Sequence, residues 1–388
     1  MKVTIISNFL NHHQIPICNE FFRMFREDFK FVSTQSTPES RLKMGYFDSD
    51  KLNLPYHING NQSNVLNTEI DSLIFQSDVV IIGSAPQKLV NQRLLHNKLT
   101  FNYSERIFKK GIYQYFNPFT ILSLLSLKKR ISCSNFYLLS SSAFTTRDFS
   151  LFGLYKNKSY KWGYFPELIK YDEFEIENNK NNVVPNLLWV GRLINWKHPE
   201  LAIYAANELH KKGYKFFLRI VGTGNLKASL EKLVVKLKLI NCIKIIGPLK
   251  PEEVRKFMEV SNIFLFTSDF NEGWGAVLNE AMNSACAVVA SHAIGAVPFL
   301  IKNNFNGLIF DNKNLEDLVI KIKELLDNKK LTLEIGKHAY KTILNEWNAR
   351  IASERFIDLT NHLLNKSNLD YNDGPCSKSY IIKNNYDY

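Results

Sequence analysis

The chain alternates short, continuous apolar runs with stretches whose apolar residues recur at helical spacing. In the second half, NLLWVGR (186–192), FFLRIVGTG (216–224), CIKIIG (242–247), NIFLFTSD (262–269), CAVVAS (286–291) and NGLIFD (306–311) predict strands. Most lack polar alternation, as expected of strands covered on both faces in a parallel sheet. Between them, PELAIYAANELHKKG, LKASLEKLVVKLKL, PEEVRKFMEVS and GAVLNEAMNS predict helices, with Pro199 and Pro251 near first-turn positions. Repeated strand and helix of this kind predict a doubly wound α/β domain.

The first half repeats the theme less cleanly. KVTIISN (2–8), FKFVSTQ (29–35), DVVIIGS (78–84), LTFNYS (99–104) and NFYLLSS (135–141) are strand candidates, and QIPICNEFFRMF is a first helix. The asparagine-rich EIENNKNNVVPN (175–186) reads as a linker. A chain of 388 residues exceeds the range of one core, so two Rossmann-like domains facing across a cleft are expected. The boundaries read as 1–174, a linker over 175–185, and 186–345. A helix over 346–366, with the option of crossing back to the first domain, and a polar tail over 367–388 that need not be ordered complete the chain.

Five scattered cysteines without a C-x-x-C pair read as small buried hydrophobes, and no metal-ligand cluster is evident. The formal net charge of +12 asks for a polyanionic partner or a solvated basic surface. No zinc finger, RNP-like strand or basic helix repeat points to nucleic acid, which leaves phosphorylated substrates and anionic lipid. No run reaches membrane-spanning length and MKVTIISNF reads as a first strand, not a signal peptide, so a cytoplasmic location is expected.

Ligands of doubly wound sheets bind beyond the carboxyl ends of the strands. After LLWV comes GRLINWK, placing Gly191, Arg192 and Lys197 at a strand end. After LRIV come Gly222 and Gly224, and after FLFTSD comes FNEGWGAVLNE, with Glu272, Gly273, Trp274, Gly275 and Glu280. Were this last segment helical throughout, the two glutamates would stand roughly 12 Å apart along the axis. That is too far for an acid/base pair at one glycosidic bond, so they suit two parts of one extended ligand. Two cations, backbone N–H groups at glycines and two hydroxyl-accepting carboxylates suit a nucleotide diphosphate sugar. Each residue alone also has an ordinary reading: Arg192 and Lys197 as surface charges, Glu272 as a helix-start acid, Glu280 as a solvated helix position. VGTGNLK matches a dinucleotide fingerprint only in part, because Lys227 stands where a third glycine belongs.

Over roughly 184–357 the chain resembles the retaining GT-B glycosyltransferases of the family 4 type. The resemblance rests on VGRLINWKHPELAIYA, IVGTG, GPLKPEEV, EGWGAVLNEAM and NGLIF, in the family's order and spacing. NHHQIP, YSERIFKKG and LYKNKSYKWGYFPE resemble bacterial transferases that build surface polysaccharides: capsule, O-antigen including lipopolysaccharide, or exopolysaccharide. The resemblance implies a GT-B fold and transfer of a hexose, with retention, from a nucleotide sugar to a glycan acceptor that is lipid-linked. It implies that Arg192 and Lys197 bind the donor diphosphate, Glu280 the ribose hydroxyls and Glu272 the donor sugar. The N–H groups of Gly273, Trp274 and Gly275 would lie near phosphate and sugar. It further implies no cofactor and no required metal, the nucleotide sugar being a substrate.

The chain departs from the family pattern in three places. NFLNHHQIP replaces the glycine-rich turn after the first strand, making His12 and His13 candidates for phosphate or acceptor contact. Phe299 in IGAVPFL stands where an acidic residue is usual, and YSER replaces an acceptor-side histidine, which makes Glu105 and Arg106 candidates in its place. The stretch 106–130 mixes lysines, aromatics and a short apolar core, and two readings stand: peripheral contact with an anionic membrane surface, or an internal helix with solvated lysine ends. The competing functions are a nucleotide-sugar epimerase or hydrolase of the same architecture, and a catalytically degenerate binding protein.

Overall fold

The computed structural model describes residues 1–42, 48, 51–60, 64–109, 111, 117–132, 134–365, 367–369 and 371–388. It divides into two compact units: Met1–Pro166 with Asn348–Asn385, and Glu167–Trp347 with Tyr386–Tyr388.

Unit 1 runs β1 (Val3–Ser7), α1 (Ile15–Phe25), β2 (Phe29–Ser33), α2 (Glu39–Leu42), β3 (His57–Asn59), α3 (Asn64–Gln76), β4 (Val79–Ile82) and α4 (Asn91–Leu95). It continues through β5 (Thr100–Ser104), α5 (Pro118–Ser132), β6 (Phe136–Ser140), α6 (Thr145–Ser150) and β7 (Ser159–Lys161). Among the described residues its sheet has the order β3-β2-β1-β4-β5-β6-β7. All of these pairs are parallel, with Val3 opposite Phe29 on one side and Val79 on the other. The order reverses between β1 and β4.

Unit 2 runs α7 (Glu173–Lys180), β8 (Asn186–Val190), α8 (Pro199–Lys211), β9 (Phe217–Val221), α9 (Lys227–Lys236), β10 (Ile243–Ile246), α10 (Pro251–Val260) and β11 (Ile263–Phe266). Then follow α11 (Val277–Asn283), β12 (Ala287–Ser291), α12 (Val297–Leu300), β13 (Leu308–Phe310), α13 (Leu315–Asp327) and α14 (Lys329–Asn345). Its parallel sheet, again among the described residues, has the order β10-β9-β8-β11-β12-β13, reversing between β8 and β11. Every residue of β11 and β12 is buried, which is why these strands read as unbroken apolar runs.

The segment expected to be a linker departs from the plan, and the C-terminal helix and tail take definite places. The expected linker is largely helix: Asp172 caps α7 by accepting from Glu175 N at 2.7 Å. Lys180 at its end is buried, donating to the carbonyls of Met258 at 2.8 Å and Ser261 at 2.6 Å. Helix α15 (Ala349–Asn365) belongs to unit 1, where Phe356 meets Phe21, Phe101 and Trp162 at ring distances of 5.5, 5.1 and 5.8 Å. The described part of the polar tail is tied to the sheet by backbone bonds. Cys376 N donates to Lys161 O, Lys161 N to Ser377 O and Ser379 N to Ser159 O, which pairs the tail antiparallel with β7. That pairing satisfies backbone groups at the sheet edge and buries Cys376 and Ser377.

Cys18, Cys286 and Cys376 are buried free thiols, and Cys242 is a half-buried one. Cys133 and Lys110 lie outside the described residues. No described helix is long and apolar enough to cross a membrane.

Candidate active site

The order reversal of the unit 2 sheet places the loops after β8 and β11 side by side, the position at which doubly wound sheets bind ligands. Backbone and hydroxyl bonds lock these loops together. Asp269 N donates to Trp196 O at 3.0 Å, and Thr267 Oγ1 donates to the carbonyl of Lys197 at 2.8 Å and meets that of His198 at 2.9 Å. Trp189 Nε1 donates to the same Thr267 oxygen at 2.9 Å.

The lock brings together residues 75 apart in sequence. Lys197 Nζ donates to Glu272 Oε2 at 2.6 Å, and Ser268 Oγ donates to the same oxygen at 3.0 Å. Both charged side chains are only 11% exposed. Lys197 Nζ also stands 4.9 Å from the Trp196 ring centroid and 5.8 Å from that of Phe266. Glu272 Oε1 has no hydrogen-bond partner among the described residues. Arg192 is exposed, with its guanidinium 5.4 Å from the Trp196 ring and no acidic partner among the described residues.

Glu272 and Glu280 do not share one helix. Glu272 precedes a turn through Gly275, whose φ is +90°, and Glu280 sits in the first turn of α11. A side chain at Gly275 would meet the Phe266 ring at 2.5 Å, so glycine is required by space as well as by φ. The N–H groups of Gly273, Trp274 and Gly275 donate to no acceptor among the described residues. Consecutive unpaired N–H groups of this kind form a concavity for anionic or hydroxyl oxygens. Glu280 is half-buried and its carboxylate has no hydrogen-bond partner among the described residues. Burial pushes that carboxyl above the ordinary range, and the Arg255 guanidinium opposes the rise.

Gly191, Gly222 and Gly224 bring the β8 and β9 turns into contact. A methyl group on Gly222 would fall 1.9 Å from the Gly191 carbonyl oxygen, and one on Gly224 would fall 2.2 Å from that of Leu193. This close packing leaves the turn beside Lys197 with no room to vary.

A second cluster behind the pair was not visible in the sequence. His198 takes a left-handed conformation, with φ 48°. Its Nδ1 lies 2.9 Å from Glu200 Oε1 and its Nε2 lies 3.1 Å from Asp269 Oδ2. The hydrogen bond to Asp269, then that to Glu200, raises its pKa to about 9, so the ring is a cation that donates to both. Burial pushes the Asp269 carboxyl upward, but bonds from His198 and Asn271 outweigh it and bring it to about 2. Asp269 Oδ1 accepts from the backbone N and side chain of Asn271, fixing the chain that enters Glu272. The available signal was polar residues directly after an apolar strand, TSD after IFLF; their partners could not be read from spacing.

Phe299 is buried against Trp347, rings 6.0 Å apart and nearly parallel, and against Trp274 at 6.2 Å. An aromatic ring therefore occupies the position where the family pattern has a carboxylate, and it supports the Trp274 loop.

In unit 1 the candidate residues fall after β1 and β5. The rings of His12 and His13 are 3.8 Å apart. Burial, and then the neighbouring His12, hold His13 well below the usual histidine range, so it is neutral at pH 7. Glu105 pairs with Lys109 and takes part in a hydrogen bond with Tyr164. Arg106 is buried and committed to Asp148, through Nη2 at 3.2 Å and Nε at 3.3 Å. No group of three or more histidine, cysteine or acidic side chains among the described residues is placed to hold a metal ion.

Two doubly wound parallel-sheet units, with the site at the switch point of unit 2, define the GT-B class of fold. Residues 170–342 match the family model "Glycosyl transferases group 1", a stretch lying within unit 2. The chain is 30% identical over 151 residues to an uncharacterized glycosyltransferase of Methanocaldococcus jannaschii, covering 39% of this chain and 41% of that one. It is 28% identical over 182 residues to the amylovoran biosynthesis glycosyltransferase AmsK of Erwinia amylovora, covering 46% and 44%. The matches thus span less than half the length of these two relatives. The solved structure of Anabaena Alr3699/HepE in complex with UDP superposes with a TM-score of 0.67 at 14% identity, over 92% of this chain and 99% of that one.

Proposed function

We propose that this protein is a retaining glycosyltransferase that moves a hexose from a nucleotide diphosphate sugar to a lipid-linked glycan acceptor. The work is surface-polysaccharide assembly at the cytoplasmic face of the membrane. The observation that carries the reading is the Lys197–Glu272 pair beside exposed Arg192 and three unpaired N–H groups, all at the switch point of unit 2. The AmsK likeness supports a polysaccharide product, and the UDP in the Anabaena complex makes a uridine donor the first to test.

Cleaving the anomeric bond leaves a nucleoside diphosphate with extra negative charge. Lys197, held by Glu272 before the reaction, and Arg192 stabilise that charge more than they stabilise the ground state. Lys197 and Ser268 hold Glu272 by Oε2, which leaves Oε1 to accept from a hydroxyl of the donor sugar. Glu280, with no protein partner for its carboxylate among the described residues, accepts from the ribose hydroxyls. The two cations supply charge at the leaving group, and the reaction is proposed to proceed without a metal. Attack comes from the face the nucleotide leaves, with retention.

The test is incubation with UDP-, GDP- and ADP-sugars and a panel of free and lipid-linked glycans. One hexose should be added with the donor's anomeric configuration kept, as read by mass and by NMR. Inversion at the anomeric carbon, or donor consumption that needs no acceptor, overturns the reading.

A further inference from the structure

Helix α5 packs on unit 1 by one face only. Leu124, Leu127 and Ile131 are buried in the core that also holds Phe149 and Leu154. The opposite face carries Phe119, Leu122 and Leu125, which are 81%, 63% and 58% exposed. Their spacing of three aligns them in one stripe. Along the helix that stripe runs on into Lys129, with Lys128 and Arg130 beside it, and α5 has no acidic residue. The basic end of the helix meets flanking elements: Arg130 Nη1 bonds Asn91 Oδ1 at 3.1 Å on α4, and Lys128 approaches Gly153.

Large exposed side chains in a contiguous patch are uncommon on monomers and mark a binding surface. An apolar stripe continuing into clustered cations matches the acyl boundary and headgroups of an anionic bilayer. A second copy would set one basic patch against another on a chain of net charge +12, which disfavours self-association. We propose that the exposed face of α5 docks on an anionic membrane surface, with Phe119, Leu122 and Leu125 entering the headgroup region and Lys128, Lys129 and Arg130 meeting lipid phosphates. The proposal deepens the lipid-linked acceptor reading but rests on this surface alone. Vesicle binding without donor or acceptor can therefore fail while transfer to a soluble glycan persists, and the reverse.

The experiment is sedimentation of the full chain with vesicles of phosphatidylcholine, alone or mixed with phosphatidylglycerol. Wild type should bind the anionic vesicles and leave the neutral ones. Both Phe119→Ser/Leu122→Ser/Leu125→Ser and Lys128→Glu/Lys129→Glu should lose affinity by roughly tenfold or more. Melting temperatures near wild type would show both variants folded, as expected for exposed positions. The proposal is overturned if wild type ignores anionic vesicles, or if the serine variant binds as wild type does, which would mean diffuse charge attraction. A change in oligomeric state in the serine variant without vesicle binding by wild type overturns it too, in favour of a protein partner.

Discussion

Replacing Lys197 by methionine keeps most of the aliphatic stem near Gly191 and Trp196 and removes only the charge that faces Glu272. At 2.6 Å and an effective dielectric of about 20, the gross attraction is roughly 6 kcal/mol, much of it offset by desolvation of the two ions. Removing one partner leaves a carboxylate that is 11% exposed with only Ser268 as donor, a change that costs roughly 3–5 kcal/mol. For a domain of this size that lowers Tm by roughly 6–20 °C. The double variant Lys197→Met/Glu272→Gln removes the stranded charge and should recover most of the loss. Scanning calorimetry of wild type, both single variants and the double variant reads the coupling directly. A Lys197→Met protein melting with wild type, or a double variant whose losses simply add, refutes the buried-pair argument. If the same ammonium meets the leaving phosphate, kcat in the double variant stays down by roughly 10²–10³ even where stability returns.

Arg192→Ala should leave Tm within about 1 °C because the side chain is exposed, while lowering transfer roughly a hundredfold; loss of fold with activity would assign it a structural role instead. Because the His198 pKa is raised to about 9, its stabilising contribution is fully present below the unfolded value near 6.5 and is lost as pH rises through about 9. The Tm gap between wild type and His198→Gln should therefore narrow between pH 7 and 10, and a constant gap contradicts the bond to Asp269. Asp269 has the opposite sign: its contribution is present above the unfolded value near 3.8 and is lost as pH falls through about 2, so Asp269→Asn should cost stability at pH 7 but little near pH 2. Gly222→Ala puts a methyl 1.9 Å from the Gly191 oxygen and should lower the urea midpoint more than any surface substitution; a neutral result would mean that the turn can open.

Much of the architecture was legible because its strands are covered on both faces. IFLF and AVVAS could be little else, and proline at the starts of α8 and α10 marked helix entry. The segments that escaped lack apolar signal. Strand β7 is three residues of Ser-Tyr-Lys, and the tail pairs with it through backbone groups that any side chain carries. Helix α7 looked like a linker because its anchor is a buried lysine bonded to carbonyls, a solvated residue on composition. At the site, Arg192, Lys197, Glu272 and Glu280 stood out by their place after strands. The Lys197–Glu272 bond, the role of Ser268 and the His198–Asp269–Glu200 cluster depend on β8 and β11 being neighbours, which strand order decides and spacing does not. In unit 1 the sequence drew attention to Arg106 without showing Asp148, its buried partner 42 residues on.

The central claim is that the switch point of unit 2 holds a nucleotide sugar, with Glu280 on the ribose. Thermal shift with UDP-, GDP- and ADP-sugars, run on wild type and Glu280→Ala while nucleoside diphosphate release is followed, tests it most directly. The account predicts stabilisation of wild type by one donor, weakened in the variant, with little release until an acceptor is added. Stabilisation by none of the donors, or equal stabilisation of both proteins, contradicts it.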